Sequence, residues 1–99
     1  MKIESIHNGG VTLECIDNRV FIKGSIETKI PGEFMTQFFE ELHNQVIKEK
    51  IKELYVDITN LKFLNSNGIK ELAKWIMKIL TVQEEDRYKV IFICDRKMA

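Results

Sequence analysis

Thr59-Asn60-Leu61-Lys62-Phe63-Leu64-Asn65-Ser66-Asn67-Gly68 joins a strand-like run, Leu54 to Ile58, to a helix-like run that begins near Asn67. Ser66 falls where the strand has ended and the helix has not begun, which is the N-cap position. A hydroxyl there faces solvent beside backbone N–H groups that the helix leaves unbonded. Phosphate on it places roughly two negative charges at a helix N-terminus, which the fold tolerates.

Downstream, Asn67 to about Val82 reads as a helix. Ile69, Leu72, Ala73, Ile76 and Leu80 form its buried stripe; Lys70, Glu71, Lys74 and Lys78 form its solvated face. Val82 to Arg87 is a polar connection. Tyr88 to Cys94 is a nearly continuous apolar run, the pattern of a strand covered on both faces.

Upstream, the only proline, Pro31, opens a second helix, with Glu33 in its first turn. Met35, Phe38, Phe39, Leu42 and Val46 recur at the helical period and form its core face, with Glu40, Glu41, Asn44 and Lys48 outside it. His43 projects away from that stripe and reads as a solvated residue. Val11 to Ile16 alternates apolar and polar, Asp17-Asn18 suits a tight turn, and Arg19 to Ile26 is the return strand with Val20, Ile22 and Ile26 on one face. Asn8-Gly9-Gly10 is a loop, and Met1 to Ile6 is a short edge strand or a frayed end. The order is β-β-α-β-α-β, and the later crossover gives a parallel pair. The expectation is a small α/β domain with a mixed sheet, residues 1–99 forming one unit.

With 44% hydrophobic and 30% charged residues and a formal net charge of zero, the 99 residues have an ordinary globular composition. A nucleic-acid binder carries a basic patch or stripe, which this interspersed charge does not make, so no nucleic-acid partner is expected. No apolar run approaches the roughly 20 residues of a membrane span, and Met1 to Ser5 lacks a secretory apolar core. The reading is cytoplasmic, with no membrane partner. Cys15 and Cys94 lie in separate strands; they read as free thiols, with a bridge or redox pair as the alternative. Two histidines, His7 and His43, and no C-x-x-C leave no metal framework, and no cofactor is expected.

Catalysis needs a base within reach of a nucleophile. Ser66 has no evident histidine partner, and Gly9-Gly10 precedes a strand rather than a helix, so no phosphate loop is present. The chain therefore reads as no enzyme. Asp57 is the one carboxylate near the loop, at the C-terminal end of a strand, where α/β proteins place functional groups. It either anchors the following turn or contacts a ligand.

The stretch from Val56 to Ile69, with Asp57 at the strand end, the apolar pair Phe63-Leu64, and then Asn65-Ser66-Asn67-Gly68, resembles the signature of the STAS family, the anti-sigma-factor antagonists. The usual family pattern there is Asp-Ser-Ser-Gly and an apolar residue opening a helix. The predicted element order agrees with that fold as well. The resemblance implies that Ser66 is the phosphorylated serine and Gly68 the family glycine. Asn65 stands in place of the aspartate and Asn67 in place of the second serine, which leaves a single acceptor. A branch of the family that controls other signalling enzymes, including a diguanylate cyclase, is similar in having Asn in this loop. Family members usually continue past the strand matched by Tyr88 to Cys94 into another helix, and here only Asp95 to Ala99 remain. Either the chain is naturally short or a C-terminal piece is absent; the sheet flank then left uncovered is the ground for expecting a homodimer.

What the resemblance implies is a bacterial regulator without catalytic activity, whose partner is an anti-sigma factor with serine kinase activity and whose switch a phosphatase resets. Partner contacts are expected from Lys62, Phe63, Leu64, Asn65, Asn67 and Gly68. Trp75 is packed or is an interface anchor. Regulation of another signalling enzyme through the same surface is a second reading. Binding of a small ligand at the Asp57 to Ser66 end of the sheet is a third.

Overall fold

A computed structural model describes residues 3–95. The hairpin at its centre follows from the alternation of its two strands, β2 (Val11–Ile16) and β3 (Arg19–Ile26), which pair antiparallel with Leu13 opposite Ile22. Asp17 takes φ 54° in the turn, a conformation Asp tolerates. Asn8-Gly9-Gly10 proves to be a second turn: β1 (Ile6–Asn8) runs antiparallel to β2 at the sheet edge, with Gly9 at φ 59°.

After helix α1 (Gly32–Lys48), β4 (Glu53–Asp57) enters parallel to the first half of β3. A strand that periodicity did not reveal, β5 (Leu61–Leu64), then pairs with the second half of β3. Helix α2 (Ser66–Thr81), a short 3₁₀ turn (Glu84–Asp86) and β6 (Lys89–Ile93) complete the described residues. The sheet order is β1-β2-β3-β4-β6, with β5 beside β3, antiparallel on one side and parallel on the other. The fold is a small α/β arrangement with a mixed sheet and two helices.

Gly24 makes the change of partner along β3 workable. It sits at φ 89°, the register shifts between it and Ser25, and its N–H donates to Asn60 C=O at 3.0 Å. A Cβ there would lie 1.8 Å from the Gly10 carbonyl oxygen. The shift has a consequence for the loop: Leu64 comes beside buried Ile26, while Phe63 comes beside Ser25 and is exposed.

The core lies between the sheet and the helices. Phe34, Met35, Phe38, Phe39, Leu42 and Val46 of α1 pack over Leu13, Val20, Ile22, Leu54 and Val56. Among the described residues the opposite sheet face carries no helix. There Arg19 lies over the rings of Phe21 and Tyr55, and Lys23 pairs with Glu14 at 2.7 Å, so long cationic side chains shield the aromatic surface.

Four sequence expectations are corrected by the structure. His43 is buried, at 2% exposure, because Tyr88 comes under it and supplies a partner for its ring: Nδ1 lies 2.8 Å from Tyr88 Oη. The buried stripe of α2 is Gly68, Trp75 and Ile79, with Leu72 and Ile76 of the expected stripe half-buried beside it; Ile69, Ala73 and Leu80 are exposed. The helix is rotated because Trp75 is its largest apolar side chain and finds Phe39 and Tyr88. The supposedly solvated Glu71 turns toward α1 and accepts from Thr36 Oγ1 at 2.8 Å. Finally, β6 is an edge strand with no buried residue, not a strand covered on both faces.

Trp75 Nε1–H donates to Tyr88 Oη at 2.9 Å. Tyr88 Oη thus accepts from Trp75 and still shares a hydrogen bond with His43 Nδ1. Burial pushes the Tyr88 phenol up to about 12, against the pull of the Trp75 bond. Burial, followed by the charge of Lys78, holds His43 below its ordinary value.

Candidate functional site

The site begins where β4 ends. Asp57 Oδ1 accepts Thr59 N–H at 2.9 Å and its Oδ2 meets Arg19 Nη1 at 3.3 Å. The bonds from Thr59, then Arg19 and Lys23, hold its carboxyl below the usual range. This is the turn-anchoring arrangement, one residue closing its own loop two positions on. Leu61 N–H then returns to Ile58 C=O at 3.0 Å, which turns the chain into β5.

At the end of β5 the chain bends into α2, and Asn65, not Ser66, is the N-cap. Its backbone is extended (φ −74°, ψ 170°) and its Oδ1 accepts Gly68 N–H at 2.8 Å. Asn outcompetes Ser here because the carboxamide caps with its oxygen while its nitrogen remains available to donate. Nδ2 of Asn65 donates to Thr28 C=O at 2.8 Å, and Asn65 N–H donates to Ile26 C=O at 3.0 Å. Asn67 repeats the device one residue beyond the serine, its Nδ2 donating to Lys29 C=O at 3.0 Å.

Ser66 is thereby the first helical residue, exposed, between two asparagines that are both tied to the β3–α1 loop. Among the described residues its hydroxyl makes no hydrogen bond, and the N–H groups of Ser66 and Asn67 have no acceptor. Those N–H groups and the helix dipole favour a negative charge at this end. Neither histidine is near enough in role to activate the hydroxyl: His7 meets Thr12 Oγ1 at 3.2 Å in the first hairpin, and His43 is held by Tyr88.

The residues expected to meet a partner separate into two groups. Lys62, Phe63 and Ser66 are exposed, and Leu64, Asn65 and Asn67 are half-buried. Gly68 and Trp75 face inward: a Cβ on Gly68 would lie 2.5 Å from Leu64 Cδ1 and 3.0 Å from Ile26 Cγ2, and Trp75 is 3% exposed. Trp75 is therefore packed, the first of its two readings. Sequence reasoning missed the β3–α1 loop, where Thr28 and Lys29 receive the two asparagines and Ile30 is 61% exposed. The signal was present as two carboxamides flanking one serine, each needing acceptors, but nothing in a linear sequence says whose.

A cleft of about 90 Å³ lies between the helices, lined in part by Met35, Phe39, Glu71 and Trp75. A wider, open depression of about 520 Å³ is lined by Asp17, Asn18, Glu49, Ile51, Lys52 and Glu53, away from the serine loop. Among the described residues no group of three or more His, Cys, Asp or Glu is placed to hold a metal, and no helix is long and apolar enough to cross a membrane. Cys15 and Cys94 are free thiols, half-buried and exposed respectively.

No protein-family model matches the chain, and no curated protein does. Among solved structures the chain is similar to an anti-sigma factor antagonist from Mycobacterium paratuberculosis, at 20% identity and a TM-score of 0.49. That match covers 83% of this chain, which spans 65% of the length of the other.

Proposed function

We propose that this chain is a non-catalytic regulator of the STAS type that binds a protein partner through the loop around Ser66, and that phosphorylation of Ser66 weakens the binding. One observation carries the reading. Ser66 is exposed at the first position of α2, its hydroxyl unbonded, while the residues on both sides are fixed to another loop. A phosphate there breaks no internal hydrogen bond and gains the dipole of α2. It adds charge to a surface that also carries exposed Phe63 and Ile30, where a partner that had buried those side chains would have to desolvate it. The motif resemblance supports an anti-sigma factor with serine kinase activity as that partner, with a phosphatase as the resetting enzyme, both in the cytoplasm.

The two asparagines favour a second reading, regulation of another signalling enzyme such as a nucleotide cyclase through the same surface. The acidic neighbour that usually precedes the serine is replaced by Asn65, whose amide nitrogen is engaged with Thr28. A kinase that reads a carboxylate at that position loses its contact.

Incubation with a candidate serine kinase and ATP, followed by intact mass, tests the proposal. One added phosphate on the wild type and none on Ser66→Ala is expected. An equal gain on both proteins, or a Ser66→Asp protein that binds its partner as tightly as wild type, overturns it.

A further inference from the structure

The two edges of the sheet are built differently. β1 is only three residues long and ends in exposed His7 and Asn8, the short polar edge that discourages pairing. β6, at the other end, reads Lys-Val-Ile-Phe-Ile, without proline and with one charge. Its pairing with β4 is regular: Lys89 N–H donates to Lys52 C=O and Ile58 N–H donates to Ile93 C=O, both at 2.8 Å. Lys89, Ile91 and Ile93 thus turn their backbone groups toward β4, so by alternation Val90 and Phe92 turn theirs to the free edge. No described strand takes them.

The side chains at this edge are equally unprotected. Val90 and Phe92 share the helix-side face with buried Leu54 and Val56, yet Phe92 is 42% exposed. Above them runs α2. Its Glu71 and Lys78 reach toward Thr36 and Glu40 of α1. At about 3.6 residues per turn the Ile69, Ala73, Ile76 and Leu80 flank lies roughly opposite, away from α1. Ile69 is 54% and Leu80 61% exposed, with Met77 at 66% beside them.

We propose that this edge joins a second copy of the chain, β6 against β6, antiparallel about a two-fold axis at Phe92. The edge is self-complementary. Centring the axis on Phe92 sets Val90 opposite Cys94 of the other copy and Phe92 opposite its equivalent, so outward backbone groups meet outward backbone groups. The same register sets Lys89 opposite Asp95 of the other copy, on one face of the joined sheet, a pair of opposite charges directly across strands. An interface of this kind is isologous and closes at two copies. It lies on the sheet edge and leaves Ser66, Thr28 and Lys29 outside it.

The test is sedimentation velocity of the wild-type chain from low to high micromolar concentration, with amide exchange followed by NMR. A dimer that forms with rising concentration is expected, with the Val90 and Phe92 amides slowing as it forms while the Ile91 amide stays slow throughout. Phe92→Lys, at an exposed position, should weaken association at least tenfold while the monomer keeps its amide protection on Ile91. Lys89→Glu should weaken it as well, and Lys89→Glu with Asp95→Lys should restore it. A monomer at every concentration overturns the proposal. So does a dimer whose formation leaves the Val90 and Phe92 amides unchanged, or a charge exchange that restores nothing.

Discussion

The Asn65 carboxamide joins two loops: its nitrogen donates to Thr28 C=O at 2.8 Å while its oxygen caps α2 at Gly68 N–H. Asn65→Ala loses both bonds and should cost about 1–2 kcal/mol, the scale of a lost cap. Asn65→Asp keeps the acceptor, and a carboxylate suits the helix end, but it offers Thr28 no donor. Its stability in urea should stay nearer wild type than that of Asn65→Ala, while amide exchange in the segment 27–30 accelerates.

Ser66 does not cap the helix, so Ser66→Ala should change stability by less than about 0.5 kcal/mol. A serine that capped would cost about 1 kcal/mol on the same change. Ser66→Asp puts a charge at the positive end of α2 and should add roughly 0.3–1 kcal/mol at low salt, fading as salt rises. Thermal melts of the three proteins at two ionic strengths separate these outcomes.

Gly68→Ala should destabilise despite the helix preference for alanine, worth about 1 kcal/mol. The added carbon would stand 2.5 Å from Leu64 Cδ1 and 3.0 Å from Ile26 Cγ2, so α2 must lift from β3 and β5 or Leu64 must change rotamer. Such overpacking typically costs about 1–3 kcal/mol. A lower denaturation midpoint with an unchanged slope in urea is the expected result.

Tyr88 serves two buried partners at once, His43 Nδ1 and Trp75 Nε1–H. Tyr88→Phe strands both, and about 1–3 kcal/mol should be lost. A change in Trp75 fluorescence of the folded protein should accompany it.

Because burial and then Lys78 hold His43 below its ordinary 6.5, the unfolded chain takes up that proton first as pH falls. The contribution of neutral His43 is therefore complete above about pH 6.5 and declines as pH drops through that value toward the folded pKa. His43→Gln should flatten this part of the stability–pH curve, leaving only the slope due to carboxylates below it. Urea midpoints between pH 7.5 and 5 for the two proteins measure the difference.

Local patterns carried much of the fold. The alternation from Val11 to Ile26, the Met35 to Val46 stripe and the short run at Leu54 became the hairpin, the core helix and the central strand because each element has one apolar face with one place to bury it. The strand Leu61 to Leu64 was hidden, because four residues with a register shift against Gly24 show no period. His43 and Glu71 were misplaced for a related reason: both are polar, and only the neighbours brought by other elements, Tyr88 and Thr36, make their burial tolerable.

The sequence by itself determined the order of the hairpin, the two helices and the strands at Leu54 and Tyr88, the position of the serine loop before a helix, and the absence of any histidine adjoining it in the chain. Tertiary structure decided which residue caps α2, which face of that helix is buried, and what the two asparagines hold. The physical reason is that hydrophobic period is a property of a segment, whereas a carboxamide, an imidazole or the rotation of a doubly apolar helix is settled by partners far away in sequence. Asn65 finds Thr28, Trp75 finds Tyr88, and Ser66 is left between them with its hydroxyl toward solvent.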